Sequence, residues 1–418
     1  MITLTGIIVW IVFLFFLYFM VFWLLVFLEK PFDDVEETTE YFPLVTVAIP
    51  AYNEEDSIAG TLDSVLKLDY PLDKLEIIVI NDGSKDRTEE IVNKIIADNP
   101  SFNIRMINQA NHGKGVAMNN ALGLAKGVYF VPLDADSFID SDALKKILPR
   151  FKKSEDIAAV LPLMKVKDPQ TLLQKIQWAE YMINIFYKKL MSSLDCVQVA
   201  PGPFSVYRKD ILVKIGGFHP HNLTEDLEIT LRLQKHHYKI VQVTNTVVYT
   251  LAPRTFKQFY RQRNRWYKGT LINAFAYRKM AFNKDYGDFA YIQMPRLLVE
   301  GILVVSSLAF VLYTAIFRPL YHRIYNLSLI NFDIRPFLFE SLKNLRLLDL
   351  DFISYFYTFV VMSLAGFLLY FAHKYNHEKF TKLSLVSIPA YLFLYSFLAS
   401  FVLVGIFVDL LRGKVQKW

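Results

Sequence analysis

The chain has a single cysteine, Cys196, in 418 residues, so no intrachain disulfide can form. That excludes a disulfide scaffold and suits a domain facing a reducing compartment such as the cytosol. Internal repeats and low-complexity tracts are absent, and so are runs of one charge. Lys and Arg total 46 against 40 Asp and Glu, a net charge of +6. The basic residues are dispersed and no recognition motif accompanies them, which excludes nucleic acid as a partner. A membrane surface or an anionic substrate accounts for the balance. The start of the chain lacks charge altogether: residues 6–28, "GIIVWIVFLFFLYFMVFWLLVFL", carry none. No Lys or Arg precedes that run and no small-residue cleavage site follows it. It therefore reads as an uncleaved transmembrane anchor rather than a signal peptide.

Three more apolar runs follow, near 297–317, 352–372 and 384–408, the first holding Glu300 near its start. Between the first run and the second the composition is that of an ordinary globular domain. The expected organisation is a membrane helix over 1–30, a cytosolic domain over 31–253, interfacial amphipathic helices over 254–296 and a membrane region of about three spans over 297–418. An acidic linker, residues 29–43, joins the first helix to the domain. One conflict stands out. With the domain cytosolic, three further spans put the tail "RGKVQKW" outside, against the positive-inside tendency. An interfacial helix within 318–351 would change that count.

Inside the domain, short β-branched runs alternate with helical patterns. Strands are expected at 44–52, 75–82, 102–108 and 127–136, with helices over 55–68, 86–98 and 114–126. Continuous apolar strands separated by helices indicate parallel strands covered on both faces, an open α/β sheet of the doubly wound, Rossmann-like kind. Such a sheet binds ligands beyond the carboxyl ends of its strands. The residues there are Tyr52, Asn53 and Glu54, then Asn81, Asp82 and Gly83, then Asp134 and Asp136. Further on, an amphipathic helix spans about 168–193, and another begins after Thr224, read as its N-cap.

Several of these stretches suggest chemistry. In "LDAD" the aspartates stand two apart, so an extended backbone turns both carboxylates of Asp134 and Asp136 to one side, where they suit Mg²⁺ or Mn²⁺. A solvated turn is the plain alternative. "NDGSKDRT" is a turn capping a helix, with Asp82 free to accept hydrogen bonds from a base. "NHGKG" places Lys114 at a helix start, where backbone N–H groups favour phosphate. "TEDLEI" offers Glu225 and Asp226, one a cap and the other a candidate general base. "RQRNRWYKG", residues 261–269, reads either as a membrane-interface anchor or as a binding element.

In this order, "PAYNEE", "VINDGSKDRT", "GKGVAMNNAL", "LDADS", "LTEDLEIT" and "QRNRW" resemble the processive family-2 glycosyltransferases, which include cellulose, chitin, hyaluronan and poly-N-acetylglucosamine synthases. The resemblance covers about residues 44–270. It implies a GT-A type catalytic domain flanked by transmembrane helices in the plasma membrane, a nucleotide-sugar donor and a divalent ion. It also implies a glycan or lipid-linked acceptor, contact with membrane lipids, and room for a second copy or an accessory subunit, since four spans are few for a channel. Ala51, Tyr52, Glu54 and Asp82 would contact the nucleoside. Lys114 and Asp134 would lie along the diphosphate, and Asp134 and Asp136 would hold the metal. Asp226, with Glu225 beside it, would be the catalytic base. Gln262, Arg265 and Trp266 would close over the donor, with Trp266 stacking on the acceptor sugar and Arg261 and Arg263 left for lipid. "APGPFSVYR" resembles the acceptor segment, through Gly202 and Pro203, with Pro201 where Ser or Cys is expected. It tilts the donor toward UDP-N-acetylglucosamine, with UDP-glucose next. The competing readings are transfer of one sugar to a lipid, a transporter without chemistry, and a nucleotide-sugar sensor.

Overall fold

A computed structural model of the chain describes residues 4–29, 41–329, 332, 352–376 and 378–412. Most of the acidic linker, the 333–351 part of the expected interfacial segment and the basic tail lie outside these residues. In chain order the helices are α1 (Leu4–Glu29), α2 (Ile58–Leu66), α3 (Thr88–Asp98), α4 (Lys114–Leu124), α5 (Ala143–Ile147), α6 (Leu172–Ser193), α7 (Lys209–Lys214), α8 (Glu225–Lys235), α9 (Phe256–Ala276), α10 (Met294–Leu312), α11 (Arg318–Leu329), α12 (Phe352–Tyr375) and α13 (Lys382–Leu411). The strands are β1 (Val45–Ala51), β2 (Leu75–Asp82), β3 (Asn103–Gln109), β4 (Tyr129–Pro132), β5 (Ser137–Ile139), β6 (Ile157–Val166), β7 (Val206–Arg208) and β8 (Lys239–Thr250). These elements fall into two compact units, residues 30–300 with 372–418, and 1–29 with 301–371.

The larger unit is built on one sheet, ordered β3-β2-β1-β4-β7-β6-β8-β5. The first four strands are parallel, with Val45 opposite both Leu75 and Tyr129. Their side chains alternate between two cores. Val47, Ile49, Ile77 and Val79 pack on one face with Ile58 and Leu62 of α2. Ala48, Ile78 and Ile80 pack on the other with Met118 and Ala121 of α4. A strand's period of two, with both faces apolar, demands a helix layer on each side.

Two expectations need correction here. The sheet is not parallel throughout: β7 runs antiparallel to β4 and β6, and β5 antiparallel to β8. The strand expected over 127–136 ends at Pro132, so Asp134 lies in a loop and Asp136 in a turn.

Helices α6 and α9 both start with a reciprocal cap. The hydroxyl of Thr171 accepts from the Gln174 N–H and that of Thr255 from the Gln258 N–H, while each Gln side chain accepts the cap residue's own N–H. Helix α13 packs on α9, with Val402 and Ile406 around Phe259. It is the one helix among the described residues long and apolar enough to cross a membrane, over Lys382–Asp409, with mean hydropathy 2.3.

In the smaller unit, α1 occupies the N-terminal apolar run, and the Phe27 ring meets Phe371 with centroids 4.7 Å apart. Helix α11 falls where an interfacial helix was expected and exposes Leu320, Tyr321, Ile324 and Tyr325.

Candidate active site

The strand order reverses direction between β1 and β4, and this opens a crevice beyond their carboxyl ends. The loop after β1 is laced to the loop after β2. The Asn53 N–H donates to Ser84 Oγ (3.0 Å), Lys85 N–H to Asn53 Oδ1 (2.8 Å), and Glu54 N–H to Thr88 Oγ1 (2.8 Å). This leaves Tyr52 45% exposed at the rim. Ala51 ends β1 with its methyl group in the core, so only its backbone reaches the crevice. Asp82 is buried and already engaged: its oxygens accept from Gln109 Nε2 (2.7 Å), His112 N–H (3.0 Å) and Gly113 N–H (2.9 Å). That carboxylate holds the turn that starts α4.

The turn delivers Lys114. Its ammonium lies 2.6 Å from Asp134 Oδ1 and 2.9 Å from Glu225 Oε1, tying together the starts of α4 and α8 and the loop after β4. Burial alone would lower the Lys114 pKa, but Asp134, Glu225 and Asp226 outweigh it and hold the group well above its ordinary value. Asp226 is pushed up to about 6, first by burial and then by the charge of Glu225. One of its oxygens accepts the Leu227 N–H at 2.8 Å. The cap expected from Thr224 is used differently. No side-chain cap hydrogen bond forms; the Thr224 hydroxyl accepts from Asn273 Nδ2 of α9 at 3.0 Å.

Asp136 is pushed up to about 7, by burial first and then by the carboxylates of Asp134 and Glu54. Glu54 is itself raised, chiefly by burial. Crowded carboxylates of this kind mark a place short of positive charge. Among the described residues no group of three or more His, Cys, Asp or Glu side chains could hold a metal alone. Asp134 and Asp136 present carboxylate oxygens, the hard donors that Mg²⁺ and Mn²⁺ take, so their chemistry fits such an ion.

Gly202 is wedged against this cluster. A Cβ there would stand 2.7 Å from Lys114 Nζ and 3.2 Å from each Asp134 oxygen, so any side chain would displace the ion pair. Its segment is tied to the end of β4, where the Phe204 N–H donates to the Pro132 carbonyl at 2.7 Å. Pro203, beside it, is buried.

Gln262, Arg265 and Trp266 share one side of α9 at the i, i+3, i+4 spacing. The helix is pinned beside the α8 start. A Cβ on Gly269 would lie 2.3 Å from Thr224 Oγ, so the glycine permits the close approach of the two elements. Arg263 corrects an expectation: it does not face lipid. It is fully buried, its Nη2 2.5 Å from Glu180 Oε2 of α6, its guanidinium 4.2 Å from the Trp266 ring centroid. Glu180 also accepts from Tyr395 Oη of α13 at 2.6 Å.

Sequence reasoning missed the contribution of α6. Besides Glu180 it brings Lys188, an amine pulled down to about 8 by burial despite the nearby charge of Asp226. The available signal was the spacing: Tyr181 and Lys188 are seven apart, two turns on one helix face.

These parts define a GT-A-like α/β domain with an acidic, lysine-clamped crevice. Residues 46–216 match Glycosyl transferase family 2, and the chain carries a family-2 glycosyltransferase domain resembling that of poly-N-acetylglucosamine synthases. It is 33% identical over 226 residues to the poly-beta-1,6-N-acetyl-D-glucosamine synthase of Staphylococcus aureus strain MSSA476, covering 54% of each chain. It is 32% identical over 245 residues to the enzyme of that name from Staphylococcus epidermidis, covering 58% of each. The match thus spans little more than half the length of these curated relatives. Among solved structures, a mannosyltransferase of Pyrobaculum calidifontis, in complex with GDP-mannose and Mn²⁺, superposes with TM-score 0.55 at 20% identity, over 87% of this chain and 93% of that one. That likeness concerns the fold.

Proposed function

We propose that the chain is a membrane-embedded inverting glycosyltransferase that extends a β-linked polysaccharide from a UDP-sugar, UDP-N-acetylglucosamine before UDP-glucose, with export of the product coupled to synthesis. The observation that carries this reading is Lys114 bridging Asp134 and Glu225, next to Asp226, at the sheet's switch point. The resemblance to poly-N-acetylglucosamine synthases supports the choice of sugar and of polymer over single transfer.

In the reaction Asp226 takes the proton of an acceptor hydroxyl. That oxygen bonds to the anomeric carbon from the face opposite the diphosphate, whose bond to the carbon breaks, and UDP departs with its electron pair. Asp226 is suited to this because its pKa near 6 leaves it ionised, yet basic, at neutral pH. Lys114 exchanges part of its contact with Asp134 and Glu225 for diphosphate oxygens and offsets their growing charge. Asp134 and Asp136 would hold a Mg²⁺ or Mn²⁺ ion, which when bound supplies further neutralisation of the leaving group. From α9, Arg265 supplies a planar contact to the diphosphate and Gln262 a hydrogen bond. The face of Trp266 not covered by Arg263 is left for the acceptor sugar.

Membrane residence is supported by α13. Only 22% of its most apolar stretch is buried, and Phe393, Phe397, Phe401, Val404 and Phe407 are exposed, which a helix in the core of a soluble protein would not show. Helices α1, α10 and α12 supply the remaining apolar runs. In this reading the sheet-bearing part of the larger unit, which holds β1 to β8, faces the cytosol.

The test is a panel of radiolabelled UDP-sugars with purified protein in nanodiscs containing Mn²⁺ or Mg²⁺, with and without lipid or oligosaccharide acceptors. A ladder or high-molecular-weight product from one donor supports the polymerase and names its sugar. A single discrete product that needs added lipid replaces it with one-sugar transfer, and donor binding without product leaves a sensor.

A further inference from the structure

Beyond the active site, α9 and α13 enclose an open groove of about 620 Å³. One wall is the first turns of α9, with Phe256 and Tyr260; the other is α13, with Phe401 and Val404. The Phe256 and Tyr260 rings approach Phe401 with centroids 5.5 and 6.3 Å away. Gly405 forms the closest point between the walls: a Cβ there would lie 2.1 Å from the Tyr260 hydroxyl, so the glycine lets that ring settle against α13.

The chemistry of this groove has two parts. The walls are apolar and aromatic. The mouth carries Lys257 and Arg261, four residues apart and so one above the other on α9. Both are exposed, and neither forms an ion pair among the described residues. Two like charges stacked on one turn repel each other, and an anion between them would reverse the sign of that interaction. The apolar wall continues along α13 as the exposed row Phe393, Phe397, Phe401 and Val404. Paired cations above a greasy channel complement a molecule with an anionic head and a hydrocarbon tail.

We propose that this groove binds one anionic phospholipid of the bilayer, its phosphate on Lys257 and Arg261 and one acyl chain along Phe256, Phe401 and Val404. Occupancy fixes the first turns of α9, and the turns that follow carry Gln262, Arg265 and Trp266. Bilayer charge thereby sets how well that helix is positioned. The proposal rests on the membrane reading above.

The experiment uses the full chain in nanodiscs of phosphatidylcholine, alone or mixed with phosphatidylglycerol. Phospholipid retained after transfer to detergent is counted by native mass spectrometry, and sugar transfer is measured separately in the same discs. Two variants probe the two halves of the site: Lys257→Gln with Arg261→Gln removes the charge, and Val404→Trp fills the groove while keeping it. The wild type is expected to retain phosphatidylglycerol over phosphatidylcholine by about tenfold, and both variants to lose that preference. Transfer by the wild type should rise with phosphatidylglycerol content, and transfer by the variants should not. Unchanged retention in the charge variant overturns the headgroup contact. Unchanged retention in Val404→Trp overturns the groove and leaves adsorption at a basic surface. Transfer indifferent to phosphatidylglycerol overturns the effect on α9. Retention that follows the expected pattern with no transfer from any donor upholds the lipid site and rejects the glycosyltransferase reading instead.

Discussion

The guanidinium of Arg263 lies 2.5 Å from the carboxylate of Glu180, both groups almost without solvent, joining α9 to α6. Tyr395 of α13 completes the arrangement by donating to the other Glu180 oxygen. Of the three arginines in "RQRNR", the middle one is thus the internal anchor, and it presents its guanidinium to the ring of Trp266. Removing one partner of such a pair strands a buried charge, at about 3–5 kcal/mol. Glu180→Gln and Arg263→Met should each lower the unfolding midpoint sharply. The double variant should cost less than the sum, and a double-mutant cycle in thermal unfolding checks this. Additive losses would mean the two side chains do not act as a pair.

Asp226→Asn should reduce transfer by about 10²- to 10⁴-fold while donor binding persists. In the free enzyme the base is active when ionised, and its pKa is about 6. Acceptor kcat/KM should therefore climb as pH rises through about 6 and level off above it. Near-normal elongation by the Asn variant would require another base.

Burial first, and then the carboxylates of Asp134 and Glu54, push the Asp136 pKa up to about 7. Its raised value means the folded state loses stability as pH rises from the ordinary carboxylate range through about 7. Without divalent ions, Asp136→Asn should raise the unfolding midpoint at pH 8 by about 2–4 °C. The same change should abolish any stabilisation by Mn²⁺. A variant still stabilised by Mn²⁺ as strongly as the wild type would place the ion elsewhere.

Gly202→Ala puts a methyl group 2.7 Å from Lys114 Nζ. Because the displaced pair sits at the active centre, the loss should fall on transfer rather than on folding: more than about tenfold in kcat/KM, with the unfolding midpoint little changed. Equal losses in both would make Gly202 a packing residue only.

The sequence determined the elements and their polarity pattern. β-branched runs such as "LEIIVIND" could only be buried parallel strands, and the polar residues at their ends, Glu54 and Asp134 among them, had to meet along one rim. The order of motifs pointed to the family that residues 46–216 match. Tertiary structure decided what each charged side chain does, because periodicity assigns a residue to a face but not to a partner. Asp82 turned inward to hold the α4 turn, Glu225 went to Lys114, and Thr224 gave its hydroxyl to Asn273 rather than to its own helix. A strand and turn were legible in "VQVAPGPFSVYR", residues 197–208, but three residues of β7 carry no pattern that tells its antiparallel direction. Whether an arginine beside an apolar stretch meets lipid or a buried carboxylate depends on a helix 83 residues away in sequence, and that separation is why Arg263 was misjudged.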